Sequence, residues 1–260
     1  MAVYAFNNDF VFMTSSGYRT NQTIQHYHES YELYFLEKGT CKYFIDNRTY
    51  EINEGDLVVI PNGVIHKTLY GEDFHERLLI NCHKKYVPTF ALSNLSSFSP
   101  IYTNDNIVSS IREVFVKMGK ECEKSDSFSE EMLYSCMLEL FALLSRNVNQ
   151  KQLLHKTSPL VEEAVDYINT NFADDVKLST VAEKNFVSQE HLSRVFKKET
   201  GFNFNEFVVM VRLRHAQRLL EENPKRSITQ LAYDCGFNDS NYFSFTFKKV
   251  FGKSPKQYVK

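Results

Sequence analysis

Between about Tyr31 and Pro88, short apolar segments alternate with turn residues: YELYFL, KYFI, TYEI, DLVVIP, HKTLY and ERLLINC, with Asp46-Asn47-Arg48 and Asn53-Glu54-Gly55 among the breaks. Strand-length runs at this spacing predict an all-β barrel or sandwich. After the polar stretch Ser93–Pro100 the period changes. Ile107, Ile111, Val114, Phe115 and Met118, then Met132, Leu133, Met137, Leu140, Phe141 and Leu144, fall at helical spacing. Two helices are expected there, as a lid on the β domain or as a pair that also supplies a dimer face. Asn147–Thr157 is mostly polar and reads as a linker. Ser158-Pro159 then offers an N-cap and a first-turn proline ahead of the stripe Leu160, Ala164, Val165, Ile168 and Phe172.

The last eighty residues contain an internal repeat. Leu178, Val181, Ala182 and Val187 match Ile228, Leu231, Ala232 and Phe237 at an offset of 50, and Ser193, Phe196, Lys197, Lys198 and Gly201 match Ser244, Phe247, Lys248, Lys249 and Gly252 at 51. Each copy reads as a short helix, a tight turn and a second helix, capped by Ser188 in one copy and by Asn238 or Asp239 in the other. Gly236 is placed to supply a positive φ in the second turn, and the glycines of FKKETG and FKKVFG to stop the second helices. Between the copies, Phe204–Glu222 predicts an amphipathic helix about 28 Å long. That length is close to the roughly 34 Å between successive major-groove faces of a duplex.

The run LSTVAEKNFVSQEHLSRVFKKETGFNFNEFVVMVRLRHAQRLLEE, continued by SITQLAYDCGFNDSNYFSFTFKKVFGKSPKQYVK, resembles the DNA-binding domain of the AraC/XylS transcription regulators over its whole length. Ala232, Gly236-Phe237, Phe243, Phe247-Lys248-Lys249, Gly252, Pro255 and Tyr258 stand at that family's signature positions. The resemblance places Gln189, Glu190, Ser193 and Arg194 on the groove side of the first recognition helix. Arg194 is the candidate for a bidentate guanine contact, with a phosphate contact as the other reading. Lys197 and Lys198 fit backbone contacts or solvated charge. The equivalent positions of the second helix are Ser240, Asn241, Ser244 and Phe245, followed by Lys248. Many members of the family carry Arg where Phe245 stands, so this aromatic either touches thymine methyls or packs internally, and weaker or more A·T-dependent readout is expected in that half-site.

Charge sharpens the division. From Ser188 to Lys260 there are 13 Lys and Arg against 7 Asp and Glu, a net of +6, so the remainder carries −8 behind an overall −2. A basic end on an acidic body suits one part meeting a polyanion. Arg212, Arg214 and Arg218 on the spacer are expected to face the duplex with the lysines that close the recognition helices. The five cysteines are scattered without a C-x-x-C pair, which argues against a disulfide framework or zinc ribbon and fits a reducing cytoplasm. The N-terminus has no basic leader region, no run of about 18 apolar residues occurs, and no membrane partner is expected.

The β-rich part carries His26-x-His28-x3-Glu32-x6-Gly39 and Gly55-x5-Pro61-x-Gly63-x2-His66. Both resemble the two motifs of the cupin barrel, without the glycine that usually precedes the first and with Tyr70 where the second often has Asn. The resemblance implies either a divalent metal held by His26, His28, Glu32 and His66 or a metal-free effector pocket lined by the same residues. Imidazole and carboxylate suit Zn, Fe, Ni or Mn, and no cofactor is otherwise required. Tyr27, Tyr31, Tyr34, Tyr43 and Phe44 are candidate pocket walls.

The fold expected is therefore two-domain: a cupin-like all-β barrel (about 1–100), a helical pair (about 101–147), a linker (about 148–157), and an all-α domain (about 158–260) with helix-turn-helix units near 178–200 and 228–251 joined by a helix. The function expected is a sequence-specific DNA-binding transcriptional regulator in the cytoplasm, an effector-responsive activator by the resemblance, reading two adjacent major grooves and not an enzyme. The alternative is a metal-dependent cupin dioxygenase or isomerase fused to a DNA-binding domain; no P-loop or G-x-G-x-x-G occurs. The family resemblance further implies promoter DNA, RNA polymerase, a small-molecule effector such as a sugar, and a homodimer as partners. Coupling between the two halves is expected through the linker and the 106–146 helices.

Overall fold

The computed structural model describes residues 2–7, 9–18, 30–92, 101–102, 106–146 and 157–259. The strands are β1 (Ala2–Phe6), β2 (Phe10–Tyr18), β3 (Tyr31–Lys38), β4 (Thr40–Ile45), β5 (Arg48–Asn53), β6 (Leu57–Ile60), β7 (His66–Tyr70), β8 (Phe74–Cys82) and β9 (Ile101–Tyr102). The helices are α1 (Thr89–Leu92), α2 (Val108–Lys124), α3 (Ser129–Arg146), α4 (Pro159–Asn171), α5 (Leu178–Lys184), α6 (Gln189–Thr200), α7 (Phe204–Glu222), α8 (Ile228–Asp234), α9 (Ser240–Phe251) and α10 (Pro255–Tyr258).

The strands form a six-stranded sheet in the order β1-β2-β8-β3-β6-β9 and a three-stranded sheet in the order β5-β4-β7. Among the described residues the sheets do not join edge to edge, so the jelly-roll-like domain is open rather than a closed barrel. β3 reads as a nearly continuous apolar run, interrupted by Glu32, because it is buried on both faces. Leu33 and Phe35 pack against the helices, while Tyr34 and Leu36 face the second sheet. The β4–β5 hairpin turns on Asp46 and Asn47, both at positive φ (42° and 73°), as a two-residue hairpin requires. Arg48, grouped with the turn in the sequence pattern, instead opens β5 opposite Ile45.

Helices α2 and α3 cover the outer face of the larger sheet, with Ile111, Val114, Phe115, Met118, Leu133, Met137 and Leu140 in its core. The sheet side of α2 comes close enough that a Cβ on Gly119 would lie 2.7 Å from the Phe12 ring. No helix among the described residues is long and apolar enough to cross a membrane.

The C-terminal helices share one core that runs from Val161 to Phe251 and also takes in Phe44 and Ile65 from the β domain. Phe44 is fully buried, its ring 6.0 Å from that of Phe202 and 5.7 Å from that of Phe207. Its position corrects its assignment as a pocket wall. On β4, Tyr43 points between the sheets, and its neighbour Phe44 therefore points out toward α7. The halves touch directly along this face. Thr49 donates to the Glu199 carbonyl (2.8 Å), Thr49 N–H donates to Thr157 Oγ1 (2.9 Å), and Arg214 pairs with Asp46 (3.2 Å). Among the described residues the direct contacts between the halves run from β4, β5 and β7 to the α6–α7 corner, while α2 and α3 sit on the other sheet; the expected linker, apart from Thr157, lies outside the described residues.

Candidate nucleic-acid interface

The repeat in sequence becomes a repeat in backbone. In the first unit Val187 N–H donates to Ala182 O at 3.0 Å; in the second Phe237 N–H donates to Ala232 O at 2.9 Å. Both turns pass through a left-handed residue, Gly236 at φ 82° and, at the matching position, Phe186 at φ 54°. Gly236 is obligatory, because a Cβ there would lie 2.7 Å from Phe172 O and 2.8 Å from Ala173 O. Phe186 accepts the same conformation with its ring 96% exposed, which only its alignment with Gly236 could have signalled.

Each turn delivers a capped helix. Ser188 Oγ accepts from His191 N–H at 3.2 Å, and Asp239, rather than Asn238, caps α9 by accepting from Asn241 N–H at 2.7 Å. Gly201 and Gly252 end the helices in left-handed conformations. By contrast Ser158 occupies the N-cap position of α4 without capping it: its hydroxyl and N–H both donate to Glu199 Oε2, tying α4 to the end of α6.

On α6 the sequence-predicted residues Gln189, Glu190, Ser193, Arg194 and Lys197 are all exposed, on the face opposite buried Leu192 and Phe196. Arg194 Nη2 lies 3.4 Å from Nδ1 of exposed His191, a neighbour the sequence reading passed over. Hydrogen bonds from its own N–H and from the Ser188 hydroxyl hold the Glu190 carboxyl below its usual range. On α9, Asn241, Phe245 and Lys248 are exposed and Ser240 and Ser244 half-buried, opposite Phe243 and Phe247. Phe245, 68% exposed, does not pack internally, which removes one of its two readings. Tyr242, also exposed, stands beside it.

The spacer arginines do not act as a set. Arg212 donates from Nε to Phe172 O (2.7 Å) and from Nη2 to Asp174 O (2.8 Å), closing the end of α4 onto α7. It is a staple, not a phosphate ligand. Arg214 is turned to Asp46 of the β domain, and only Arg218, 64% exposed beside Glu222, stays largely in solvent. The helix pattern shows which face these arginines share but not that Phe172, Asp174 and Asp46 engage two of them.

Between the sheets lies a second polar constellation. Glu32 and His66 are 2% and 4% exposed, with His66 Nε2 3.6 Å from Glu32 Oε2. Tyr43 donates to Glu32 Oε1, and His66 Nδ1 stands 2.8 Å from Val64 O. His26, His28 and Tyr27 lie outside the described residues, so only half of the four-residue metal set has a described position. Tyr31 leans toward the helices, whereas Tyr34 and Tyr43 face inward. The pattern-based list missed Tyr70, His75 and Arg77, which share this interior.

Residues 181–260 match the model of a helix-turn-helix domain, and residues 11–159 match that of an AraC-like ligand binding domain. The chain is 26% identical over 253 residues to the Msm operon regulatory protein of Streptococcus mutans, spanning 94% of this chain and 88% of that protein. It is 27% identical over 246 residues to the HTH-type transcriptional activator RhaS of Escherichia coli, spanning 89% and 86%. The solved structure of ToxT from Vibrio cholerae O395 aligns over 97% of this chain and 98% of its own at 16% identity, with a TM-score of 0.41. With a ligand-binding model over more than half its length and a helix-turn-helix model over its last eighty residues, the chain belongs to the AraC family of DNA-binding transcriptional regulators.

Proposed function

We propose that this regulator reads two adjacent major grooves of a promoter with α6 and α9, and that a small molecule held between its two sheets sets how well it does so. The observation that carries the reading is the duplicated unit. Two capped helices each present a polar, exposed face and close on an exposed lysine pair, Lys197-Lys198 and Lys248-Lys249. Gln189, Glu190, Ser193 and Arg194 then meet base edges in one groove, Ser240, Asn241, Ser244 and Phe245 in the next, and Lys197 and Lys248 the flanking phosphates. Electrophoretic mobility shift with the full chain on its own upstream region tests this: Arg194→Ala should weaken the cognate complex while sparing non-specific binding, and equal losses on both would contradict it.

The mode of regulation follows from the inter-domain face. An effector shifts the equilibrium only by its differential affinity for two arrangements. The residues that wall the interior, Tyr43 and His66, alternate along their strands with those that grip the helix-turn-helix unit, Phe44 and Lys67. Activation accords with the description of the relative RhaS as a transcriptional activator; the cytoplasm, RNA polymerase as partner and a sugar among candidate effectors are what the family resemblance implies. A homodimer would use α3, where Met132, Tyr134 and Leu138 are exposed; sedimentation at micromolar concentration checks it, and a monomer with and without effector would count against it.

A second reading adds a divalent metal to the interior. His66 Nδ1 stands 2.8 Å from the Val64 carbonyl and Nε2 3.6 Å from Glu32, which supports these two as half of the motif's ligand set; His26 and His28 lie outside the described residues. Metal analysis of protein purified without a His-tag decides it: stoichiometric metal lost in His66→Ala supports the reading, and sub-stoichiometric metal unchanged in that variant rejects it.

A further inference from the structure

We propose that the interior between the two sheets, at the end where Tyr34, Tyr70, His75 and Arg77 meet, takes a small hydroxylated carboxylate, with Arg77 as the counter-charge of its carboxyl group. This rests on the reading of the β domain as an effector sensor and names the chemical class of its ligand.

The side chains of one strand alternate between faces, and Leu79 belongs to the cluster between the sheets, so His75, Arg77 and Asn81 of β8 point there as well. The Arg77 guanidinium lies 5.3 Å from the Tyr70 ring centroid and 5.7 Å from that of Tyr34. Among the described residues its buried Nε has no hydrogen-bond partner. Glu32, the acid on the same face of β3, is four residues from Leu36, the strand partner of Arg77. Along the backbone that is about 13 Å; the Glu32 charge is felt at Arg77 across the interior without pairing with it, and Glu32 already accepts from Tyr43.

A second observation points to the same space. His75 is 1% exposed, its ring stacks on Tyr70 at 4.0 Å, and the backbone of Asp73 is its only hydrogen-bonding neighbour among the described residues, short of a well-formed hydrogen bond. Directly opposite on β2 stands Gly17, where a Cβ would meet nothing within 4 Å. Thr68, Tyr70 and Arg77 face inward yet keep some accessible surface, so solvent reaches this end of the sandwich.

A half-buried cation without a carboxylate in ion-pair contact is costly, and an aliphatic residue would pack at Arg77 without that cost. The planar fork of arginine suits a carboxylate, which it can hold in two parallel hydrogen bonds. The Tyr34 and Tyr70 hydroxyls, 3.2 Å apart, and the His75 nitrogens are then donors and acceptors for hydroxyl groups on the same molecule.

The test is thermal unfolding of the full chain with D-gluconate and D-glucuronate as probes against D-glucose and D-sorbitol, at matched ionic strength. The acids should raise the melting temperature by about 2–4 °C and the neutral compounds should not. Arg77→Met and His75→Gln should abolish or halve the rise, and Arg77→Lys, which keeps the charge but not the fork, should retain part of it. Should Arg77→Met fail to fold, the other two variants carry the comparison. Equal shifts from acids and neutral compounds that survive in the variants overturn the carboxylate inference while leaving a sensor in place. No shift from either set overturns the inference too, and the sensor reading is then judged separately by whether any metabolite pool alters DNA affinity.

Discussion

Lys67 Nζ donates to the carbonyl oxygen of Gly201 at 2.5 Å, so a strand of the sensor sheet holds the last residue of the first recognition unit. The same ammonium lies 4.6 Å from the Phe202 ring. Gly201 is packed from the same side: a Cβ there would stand 2.7 Å from Leu69 and 2.9 Å from Lys67. Gly252, its counterpart in the second unit, has the same left-handed backbone and open space around it. Gly252→Ala should therefore cost about 1–2 kcal/mol from backbone strain alone. Gly201→Ala should cost more, because it also pushes the sheet off the helix. Urea unfolding of the two variants measures the difference, and equal losses would refute the contact.

Phe44 seals that contact from β4. Phe44→Ala should destabilise the chain by about 3–5 kcal/mol. Because the lost area lies between the halves, the single unfolding transition should split into two by calorimetry. A lower but still single transition would show that the two parts are held together elsewhere.

Arg194 and Phe245 make different predictions at the DNA. Arg194→Ala should cost about 1–3 kcal/mol at the cognate site and relax preference at one base pair, as expected for loss of a bidentate base contact. Phe245→Arg should sharpen sequence preference in the distal half-site, read by footprinting, and unchanged preference would show that α9 is not reading bases there. Lys197→Ala should weaken all sequences alike and lower the salt dependence of binding.

Two histidines set an acid limit on stability. Burial, then the neighbouring Arg77, holds the His75 pKa below 6.5, and burial, then Arg218 and Arg214, does the same for His215. Both take up a proton more readily in the unfolded chain, so stability is full above the unfolded pKa and falls as pH drops through about 6.5. Thermal melts between pH 7.5 and 5 should show this fall, and the double variant His75→Gln, His215→Gln should flatten it.

The C-terminal half was legible because its signals are local and stated twice: two caps, two glycine stops and a helix between them. The central strands were equally legible from their alternation. Strands β1 and β2 lie upstream of the segments that pattern picked out, although Phe10 and Phe12 alternate inward. What one chain's pattern does not reveal is which face of a strand meets which neighbour. Tyr43 and Phe44 look alike as pocket walls until the sheet sends one inward and the other to α7. Arg77 reads as a polar interruption in ERLLINC until Leu79 fixes its face. Arg212 reads as duplex-facing until the end of α4 is seen to need a donor.

Quantitative footprinting of the full chain on its own upstream DNA, beside Arg194→Ala, reaches the central claim most directly. One chain carrying two recognition helices on one spacer should protect two patches about 10 base pairs apart on one face of the duplex, and Arg194→Ala should lose the proximal patch first. A single patch, or two patches lost together in that variant, would contradict a pair of helices reading adjacent grooves.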